Sequence, residues 1–488
     1  MAHVAPSEDG FGPGGTAARI GRFAGPAAGV AVAWWCHPQG GGSGALSAEA
    51  ALTAGLLAWM SVWWVTHAVE LAVTALLPVA LLPALGVMEF RQIAGAYADN
   101  VIFLFAGSTV IGIALDRHGV SAHFVHWLLA AAGSRPGMVV AAFFTAAAMV
   151  SAWVSNAAST ALLLPLALGV AQTAVPRPGA DPEASARSAR NLTAAVLLAV
   201  AYGSTIGGGA TLVGSPPNGI AANYLRAAGI EMDFVRWMHY GIPAALAAAP
   251  VVVLALVRML PARDVELARQ DRSRLPPLGR DGWTALAVFA ATVATWTTWR
   301  AWPQGWRPEG LSEGGVAVAA AVLLLVLPAS GAARPRLVPW TEARRLPWSV
   351  FILFGGGLAI GEAMQHTGLA DAIGGSFRGL GALPEPAVLA VVVFGLAFAS
   401  EVGSNTALTA TAVPVLGAIA PALGMSVEKV VVATAFGASY AFMLPVGTPP
   451  NALVYGTGKV PYRDMLRVGL VLNLAVGAVL VAVLSMLA

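Results

Sequence analysis

The chain has 488 residues, of which 57% are hydrophobic and only 10% charged, and its mean hydropathy is +0.73. Soluble globular chains carry about 25% charged residues, so this composition excludes an ordinary soluble domain and predicts a membrane protein. The 27 basic and 24 acidic residues give too mild an excess for nucleic-acid binding. The single cysteine, Cys36, excludes a disulfide framework and a cysteine-based metal site.

The N-terminal segment, residues 1–47, is rich in glycine, alanine and proline. Within it, Arg19 and Arg22 precede a modest apolar run at 23–35. We interpret this run as a retained first membrane span and not as a signal peptide. Glycine and proline dilute the run, and no clear cleavage site follows it.

Hydropathy along the whole chain predicts an all-α polytopic membrane protein, because a helix needs about 20 apolar residues to cross a bilayer core. About eleven spans are predicted, at residues 19–36, 48–65, 68–87, 101–117, 192–212, 238–260, 282–299, 314–329, 348–366, 428–446 and 465–487. Two further apolar stretches, 137–174 and 386–422, are each interrupted by a small polar cluster. Each is predicted to form a re-entrant hairpin, whose irregular tip needs cover from protein or water.

The basic residues give the orientation of these spans. With the N-terminus in the cytoplasm, 20 of the 27 lysines and arginines fall on the cytoplasmic side and seven on the other. This bias is the positive-inside pattern. It predicts a multi-pass protein of the cell inner (plasma) membrane with a cytoplasmic N-terminus. The longest polar connection, 261–281, becomes a cytoplasmic linker between two halves.

The chain also repeats itself. The motif Leu-Phe-Ala-Gly at 104–107 matches Leu-Phe-Gly-Gly at 353–356, and Ser-Asn at 155–156 matches Ser-Asn at 404–405, both at an offset of 249. Gly-Ser-Pro-Pro-Asn at 214–218 matches Gly-Thr-Pro-Pro-Asn at 447–451 at an offset of 233. The difference between the two offsets is 16 residues, which is close to the length of the polar insert 176–190 that only the first half has.

The span count makes these repeats inverted. From the start of the span at 101–117 to the start of its equivalent at 348–366 the chain crosses five times, and an odd number turns the second copy over. The predicted repeats are 48–260, with the hairpin 137–174, and 282–488, with the hairpin 386–422. Inverted repeats with broken helices near the midplane are typical of secondary transporters.

The repeated motifs have a chemistry that suits a cation and an anion. A Ser-Asn tip offers hydroxyl and amide oxygens, which hard cations such as sodium prefer. Each Pro-Pro segment breaks a helix and leaves backbone carbonyls free. The helix that follows presents free N–H groups and a positive dipole end to an anion. A lone Ser-Asn pair would more often be structural, but two copies of both motifs favour the functional interpretation.

The segments Trp-Val-Thr-His-Ala at 64–68 and Val-Thr-Ala-Leu-Leu-Pro at 73–78, with the two Ser-Asn tips and the two Pro-Pro-Asn segments, resemble the divalent anion–sodium symporter family. The resemblance covers roughly residues 50–488. It implies a homodimer with a scaffold domain and a mobile transport domain that works as an elevator. It also implies symport of at least two sodium ions with an anion of the succinate type.

The resemblance also implies residues for the binding sites. The first sodium site is expected to use Ser151, Ser155, Asn156 and the carbonyl of Gly214. The second sodium site is expected to use Ser400, Gly403, Asn405 and the carbonyl of Gly447. The residues expected to contact the anion are Asn156, Ala157, Asn405, Thr406, Thr448 and Pro449, with Ser215 and Pro216 at the equivalent positions of the first repeat.

Ala157 departs from the family pattern, which has a hydroxyl after each Ser-Asn pair. A site that hydrogen-bonds its substrate discriminates through that bond, so its loss is expected to alter substrate choice. A C4-dicarboxylate such as succinate remains the first expectation, with sulfate or another inorganic anion as the alternative. Proton coupling and exchange also stay open, but no basic residue stands beside either tip to replace sodium, which favours symport.

Other classes of protein fit the sequence less well. An intramembrane enzyme needs a nucleophile with a base, or a motif such as His-Glu-x-x-His, and the sequence has neither. A channel is expected to have a continuous polar lining, whereas the polar residues here concentrate at two matched points. The neighbouring His118, His123 and His126 are interpreted as a solvated helix end and not as a metal site.

Overall fold

A computed structural model of the chain describes residues 16–38, 46–267, 277–306, 308, 310–330, 336–344, 346–376 and 384–487. The N-terminal segment 1–47 and the linker 261–281 of the sequence prediction therefore lie partly outside the described residues. Within the described ranges nearly all regular structure is helical, and the two strands are short, β1 (Ala174–Pro176) and β2 (Val265–Leu267), paired antiparallel.

The helices that precede the linker include both long and short ones. They are α1 (Thr16–Cys36), α2 (Ala48–Thr66), α3 (Leu71–Ala75), α4 (Leu77–Ala84), α5 (Phe90–Ala96), α6 (Asn100–Arg117), α7 (Val120–Ala132), α8 (Pro136–Ser151), α9 (Asn156–Gln172), α10 (Pro182–Ala210), α11 (Pro216–Ala227) and α12 (Phe234–Met259).

The helices that follow the linker repeat much of this order. They are α13 (Arg280–Thr298), α14 (Glu313–Val326), α15 (Trp340–Ala343), α16 (Trp348–His366), α17 (Leu369–Ser376), α18 (Glu385–Ser400), α19 (Asn405–Ile419), α20 (Val427–Ser439), α21 (Pro449–Tyr455) and α22 (Tyr462–Met486). The run from α5 to α12 recurs as α15 to α22, helix for helix. The division into inverted domains with the stated boundaries stays a prediction.

Seven helical segments of the described chain are long and apolar enough to cross a membrane, which makes the fold that of an all-α polytopic membrane protein. They are Ala48–Thr66, Phe90–Arg117, Pro182–Ala210, Phe234–Met259, Trp348–His366, Asn405–Leu423 and Tyr462–Met486. Six shorter apolar helices accompany them, among them α8, α9, α14 and α18. The predicted first span forms α1 but is not one of the seven.

Both predicted hairpins consist of two helices joined by a short polar tip. The first is α8 and α9 and the second is α18 and α19. The second helix of each pair begins where the tip serine caps it. Ser155 Oγ accepts a hydrogen bond from the N–H of Ala158 at 3.4 Å, and Ser404 Oγ accepts one from the N–H of Ala407 at 3.3 Å. A serine at the N-cap satisfies a donor that the helix leaves free.

Both predicted helix breaks are also present. The chain is irregular between the end of α10 at Ala210 and the start of α11 at Pro216. It is irregular again between the end of α20 at Ser439 and the start of α21 at Pro449. Each shorter helix opens with two prolines, which fit only the first turn because they lack an N–H donor.

The interior is organised around α10 and α20. From Leu192 to Gly209 helix α10 is almost wholly buried, and it packs against α8, α9 and α12, while α20 packs against α18, α19 and α22. Helices α13 and α14 pack on α6, and α3 packs on α16. The two hairpins and the two broken helices therefore occupy the same enclosed region, which brings each tip to a break.

The structure differs from the predicted spans in several ways. Of the eleven predicted spans, six coincide with helices of the described chain that are long and apolar enough to cross a membrane, and the seventh such helix, Asn405–Leu423, lies in the predicted second hairpin. The span at 68–87 is divided into α3 and α4, where Pro78 and Pro83 interrupt regular helix bonding. Helix α7 was not predicted, because its 13 residues are too few for a span. The span at 428–446 ends as a helix at Ser439, because the backbone that follows is bonded to side chains of other helices.

Candidate functional site

The first hairpin tip meets the first helix break at Asn156. One end of its side-chain amide lies 3.1 Å from the carbonyl oxygen of Gly214, 2.8 Å from Ser151 Oγ and 3.2 Å from the carbonyl oxygen of Ser204. Ser151 Oγ in turn donates a hydrogen bond to the Ser204 carbonyl at 2.7 Å. Three of the four residues expected for the first sodium site are thus in contact, together with Ser204.

These contacts form a cluster of neutral oxygens around one amide. With its nitrogen inward, Asn156 donates to the cluster, and with its oxygen inward it adds a fourth oxygen to the hydroxyl and the two carbonyls. The second arrangement is a donor set for a hard cation. The space depends on Gly208, because a Cβ there would overlap the end of the Asn156 amide that faces the cluster.

Two asparagines hold the irregular backbone at the two breaks in the same way. Asn218 Nδ2 donates to the carbonyls of Gly208 and Thr211, both at 2.8 Å. Asn451 Nδ2 donates to the carbonyls of Ala441 at 3.3 Å and Leu444 at 3.0 Å. The two donating asparagines are 233 residues apart in the chain, and so are the corresponding acceptors; this is also the offset between the two Pro-Pro-Asn motifs. The repeat therefore extends to individual hydrogen bonds.

The second break carries a buried carboxylate. Glu401 is only 3% exposed, and its Oε1 accepts hydrogen bonds from the N–H groups of Phe442 and Met443, both at 2.8 Å. Its Oε2 accepts one from the N–H of Leu444 at 2.8 Å, and Asn473 Nδ2 donates to Oε1 at 2.7 Å. Four donors around one carboxylate balance the cost of burying its charge.

The first repeat has no matching carboxylate. Ala152 stands at the position equivalent to Glu401, and its carbonyl accepts a hydrogen bond from Thr211 Oγ1. The first break is therefore held by a hydroxyl and the second by a charged group, so the two breaks differ in their electrostatics.

The second hairpin tip is arranged differently from the first. Asn405 Nδ2 donates to the carbonyl of Ser439 at 3.2 Å, at the end of α20, while Ser400 Oγ donates to the carbonyl of Ala397 at 2.9 Å within α18. Asn405 Oδ1, Ser439 Oγ and Asn451 Oδ1 are buried and have no hydrogen-bond partner in the described part of the chain. Unpartnered buried oxygens are costly unless a ligand or water serves them.

Two tyrosines connect α10 of the first half to the second break. Tyr202 on α10 donates to the carbonyl of Phe442 at 2.9 Å, and Tyr440 donates to the carbonyl of Ile206 at 3.2 Å. Trp237 Nε1 donates to the Gly209 carbonyl at 3.0 Å. The carbonyls of Phe442 and Gly209 have no helical partner, and these bonds satisfy them.

The remaining predicted site residues lie at the starts of the shorter helices. Thr448 caps α21, where its Oγ1 accepts a hydrogen bond from the N–H of Asn451 at 3.3 Å. Ala157 and Thr406 lie partly exposed in the first turns of α9 and α19. The other residues are distributed as follows: Ser215 buried at the N-cap of α11, Pro216 partly buried, Pro449 exposed, Gly403 partly exposed within the second tip, and Gly447 buried against Glu401.

The sequence prediction did not include Ser204, Glu401, Asn473 or the two tyrosines. Ser204 contributes a backbone carbonyl, which no side-chain motif reveals. Glu401 could have been found, because an ionisable residue within an apolar hairpin marks a functional site by default. In the described residues no group of three or more His, Cys, Asp and Glu side chains could hold a metal ion, His118, His123 and His126 included.

An all-α polytopic fold in which two polar hairpin tips meet two helix breaks is that of a secondary transporter. The chain belongs to the citrate transporter family, whose sequence model matches residues 61–437.

Individual relatives match almost the whole chain. A sodium-dependent dicarboxylate transporter of Staphylococcus saprophyticus is 31% identical over 454 residues, which cover 91% of this chain and 87% of the relative. A protein of the same name from Staphylococcus aureus is 29% identical over 475 residues, covering 95% and 90%.

A solved structure shares the fold. The YdaH transporter of Alcanivorax borkumensis, whose crystal structure is described as revealing an unusual topology, superposes with a TM-score of 0.54 at 15% sequence identity. The match covers 80% of this chain and 87% of that one. At this identity the likeness concerns the fold alone.

Proposed function

We propose that the chain is a sodium-coupled symporter that imports a small divalent anion, with a C4-dicarboxylate such as succinate as the first substrate. The observation that carries the proposal is the cluster of neutral oxygens around Asn156, where a hairpin tip meets a helix break. Such oxygens suit a hard monovalent cation. The names of the relatives, sodium-dependent dicarboxylate transporters, support the same ion and the same class of substrate.

The first ion site consists of Ser151, Ser155, Asn156 and the Gly214 carbonyl, with the Ser204 carbonyl added. Ser155 Oγ is the N-cap acceptor of α9 and keeps a second lone pair for an ion. The second site consists of the residues expected from the sequence around Asn405, whose unpartnered Oδ1 supports a ligand there. The protein thus couples at least two sodium ions to each anion.

The Asn156 amide links the ion to the anion. Without a cation its nitrogen donates into the oxygen cluster. A cation draws the amide oxygen inward, which turns the two N–H donors outward toward the start of α9. A carboxylate there meets those donors and the positive end of the helix. Sodium binding therefore completes the anion site around Asn156, Ala157, Ser215 and Pro216, and the equivalent residues serve it in the second repeat.

The repeats and the basic residues support an inverted, membrane-embedded arrangement, and the family resemblance supports a homodimer that works as an elevator. The repeats 48–260 and 282–488 are inverted, the N-terminus is cytoplasmic, and the protein resides in the cell inner membrane. Two copies form a homodimer, in which the two hairpins and broken helices move as one body against the remaining helices, as an elevator.

The experiment is uptake of radiolabelled succinate by proteoliposomes that contain the full chain. We expect accumulation with an inward sodium gradient and none with an equal choline gradient. Asn156→Ala and Asn405→Ala are expected to abolish the sodium-driven component. The matched control is Asn191→Ala, which removes an amide whose only described bond is to the Pro261 carbonyl, away from both tips, and is expected to keep uptake.

Three outcomes would contradict the proposal. They are equal uptake in sodium and choline, full uptake in both tip variants, or no uptake of any anion tested by protein that elutes as a single folded species. Asn156→Asp separates the two functions of the amide, because it keeps an oxygen for the cation and loses the donors for the anion. It is expected to retain sodium binding, measured as sodium-dependent thermal stabilisation, and to lose succinate uptake.

Ala157 supports a second candidate substrate, because the first tip lacks one hydroxyl donor for a carboxylate oxygen. Sulfate or another inorganic anion is then the transported species. Competition between the two anions decides between them. The site would be assigned to the inorganic anion if excess unlabelled sulfate abolished succinate uptake and labelled sulfate itself accumulated faster than succinate.

A further inference from the structure

A groove of about 940 Å³ lies between the start of α8 and the end of α12, away from the two hairpin tips. Its wall is apolar and partly exposed, with Met138 from α8 and Leu254 and Val257 from α12. Four arginines line the same groove: Arg135, Arg177, Arg258 and Arg263. The groove thus combines an extended apolar surface with a concentrated positive charge.

Arg258 lies within a helix, and the other three arginines lie at the ends of helices or strands. Arg135 is the N-cap residue of α8, and Arg258 lies in the last turn of α12. The pairing of β1 with β2 brings the other two to the groove, and the N–H of Arg177 donates to the carbonyl of Asp264 at 3.0 Å. The backbone of Leu267 donates to Ser134 at 3.2 Å, which ties β2 to the start of α8.

In the described part of the chain two acidic residues lie near the four arginines, so the groove keeps a net positive charge. Glu266 pairs with Arg177 at 3.4 Å, and the Asp264 carboxylate accepts a hydrogen bond from Ser188 Oγ at 2.8 Å. Arg135, Arg258 and Arg263 form no ion pair within the described part of the chain and are exposed. The N-terminus of α8 adds the positive end of a helix dipole at the same place.

We propose that this groove binds an anionic phospholipid. The apolar wall excludes a small, fully hydrated anion as its occupant and matches acyl chains. The guanidinium groups match a phosphate, to which they can donate paired hydrogen bonds. Arg258 marks the point at which the apolar face of α12 gives way to charge, the depth at which a headgroup lies. Basic pockets between helices at this level are suited to anionic lipid headgroups.

The test is native mass spectrometry of the detergent-solubilised full chain with equal amounts of palmitoyl-oleoyl phosphatidylglycerol and phosphatidylcholine. We expect preferential retention of phosphatidylglycerol by the unmodified protein. In the double variant Arg135→Gln/Arg258→Gln, the ratio of bound phosphatidylglycerol to bound phosphatidylcholine is expected to fall about tenfold, because both arginines favour an anionic headgroup. The matched control is Arg187→Gln/Arg190→Gln, which removes two exposed arginines of α10 outside the groove.

Each result decides for or against the site. A preference that falls in the groove variant and persists in the control supports it. No preference in the unmodified protein, or an equal loss in both double variants, overturns it. Displacement of the lipid by millimolar inorganic phosphate would also overturn it, because the apolar wall would then contribute nothing to binding. Thermal unfolding of both double variants, unchanged from the parent, shows that the comparison concerns folded protein.

Discussion

Glu401 stands one residue after the second-site Ser400 and reaches across to the chain that follows α20. Its carboxylate binds three consecutive N–H groups, at 442–444, that would otherwise lack a helical partner. A carboxylate can accept from all of them at once, whereas an amide has one oxygen to accept with. The shape of the second break therefore depends on the charge of this side chain as well as on its size.

We predict that Glu401→Gln severely weakens sodium-driven uptake. The variant places an amide NH₂ against backbone donors, and the loss of charged hydrogen bonds costs about 1.5–3 kcal/mol for each bond that is not replaced. The measurement is uptake in proteoliposomes together with the midpoint of thermal unfolding. Both are expected to fall.

The control for this prediction is Glu385→Gln at the start of α18. That carboxylate is 40% exposed and pairs with Lys429 at 2.9 Å, so its loss is worth about 1 kcal/mol or less. If Glu401→Gln behaved like Glu385→Gln in both measurements, the second break would be held by something other than the carboxylate.

Gly208 is important because it has no side chain. A Cβ at this position would overlap the end of the Asn156 amide that faces the oxygen cluster, which forces the amide or α10 to shift. Overpacking of this kind costs about 1–3 kcal/mol, and here the displaced group is the proposed ion ligand. We predict that Gly208→Ala raises the sodium concentration for half-maximal uptake by about tenfold or more.

Gly169→Ala is the matched control for that variant. Gly169 lies within α9, and nothing stands within 4 Å of the position that a Cβ would occupy. Its sodium dependence is expected to equal that of the parent. An unchanged sodium dependence in Gly208→Ala as well would show that Asn156 does not bind the ion in this position.

At the scale of elements, two tyrosine hydroxyls join α10 to the chain after α20, and each segment donates one of the two hydrogen bonds. Tyr202 bonds Phe442, and Tyr440 bonds Ile206, one helical turn farther along α10. We predict that Tyr202→Phe and Tyr440→Phe each destabilise the protein by about 1 kcal/mol, because each removes one buried hydrogen bond.

The two changes are also expected to be non-additive, because the bonds join the same pair of elements. Chemical or thermal unfolding of the two single variants and the double variant measures this coupling. Tyr462→Phe, which removes a half-exposed hydroxyl at the start of α22, serves as the control. Strictly additive effects would show that the two breaks behave independently.

The elements that the sequence predicted best are those with local causes. The hairpins and breaks follow from Ser155 and Ser404 as caps and from paired prolines, all within a few residues of the feature that they produce. Glu401 could not be paired with 442–444 from sequence, because its partners lie about 40 residues away and are backbone groups. The same holds for the Ser204 carbonyl and for the division of 68–87 into α3 and α4.

At the scale of the whole molecule, the pattern of helices recurs but their orientation in a membrane remains a prediction. Arg91 in α5 and Trp340 in α15 are equivalent positions at the offset of 249, and both are exposed. Five predicted crossings separate the helices that follow them. Inverted repeats must therefore place these two residues on opposite sides of the membrane, whereas parallel repeats would place them on the same side.

We predict that Arg91→Cys is labelled by a membrane-impermeant maleimide in intact cells and that Trp340→Cys is labelled only in inverted vesicles. The native cysteine is first replaced in a Cys36→Ser parent, which then gives no background signal, because the chain has one cysteine. A membrane-permeant maleimide must label both variants, since this excludes burial as the cause of protection. Labelling of both from one side would make the repeats parallel, and the two tips would then not face each other across the midplane.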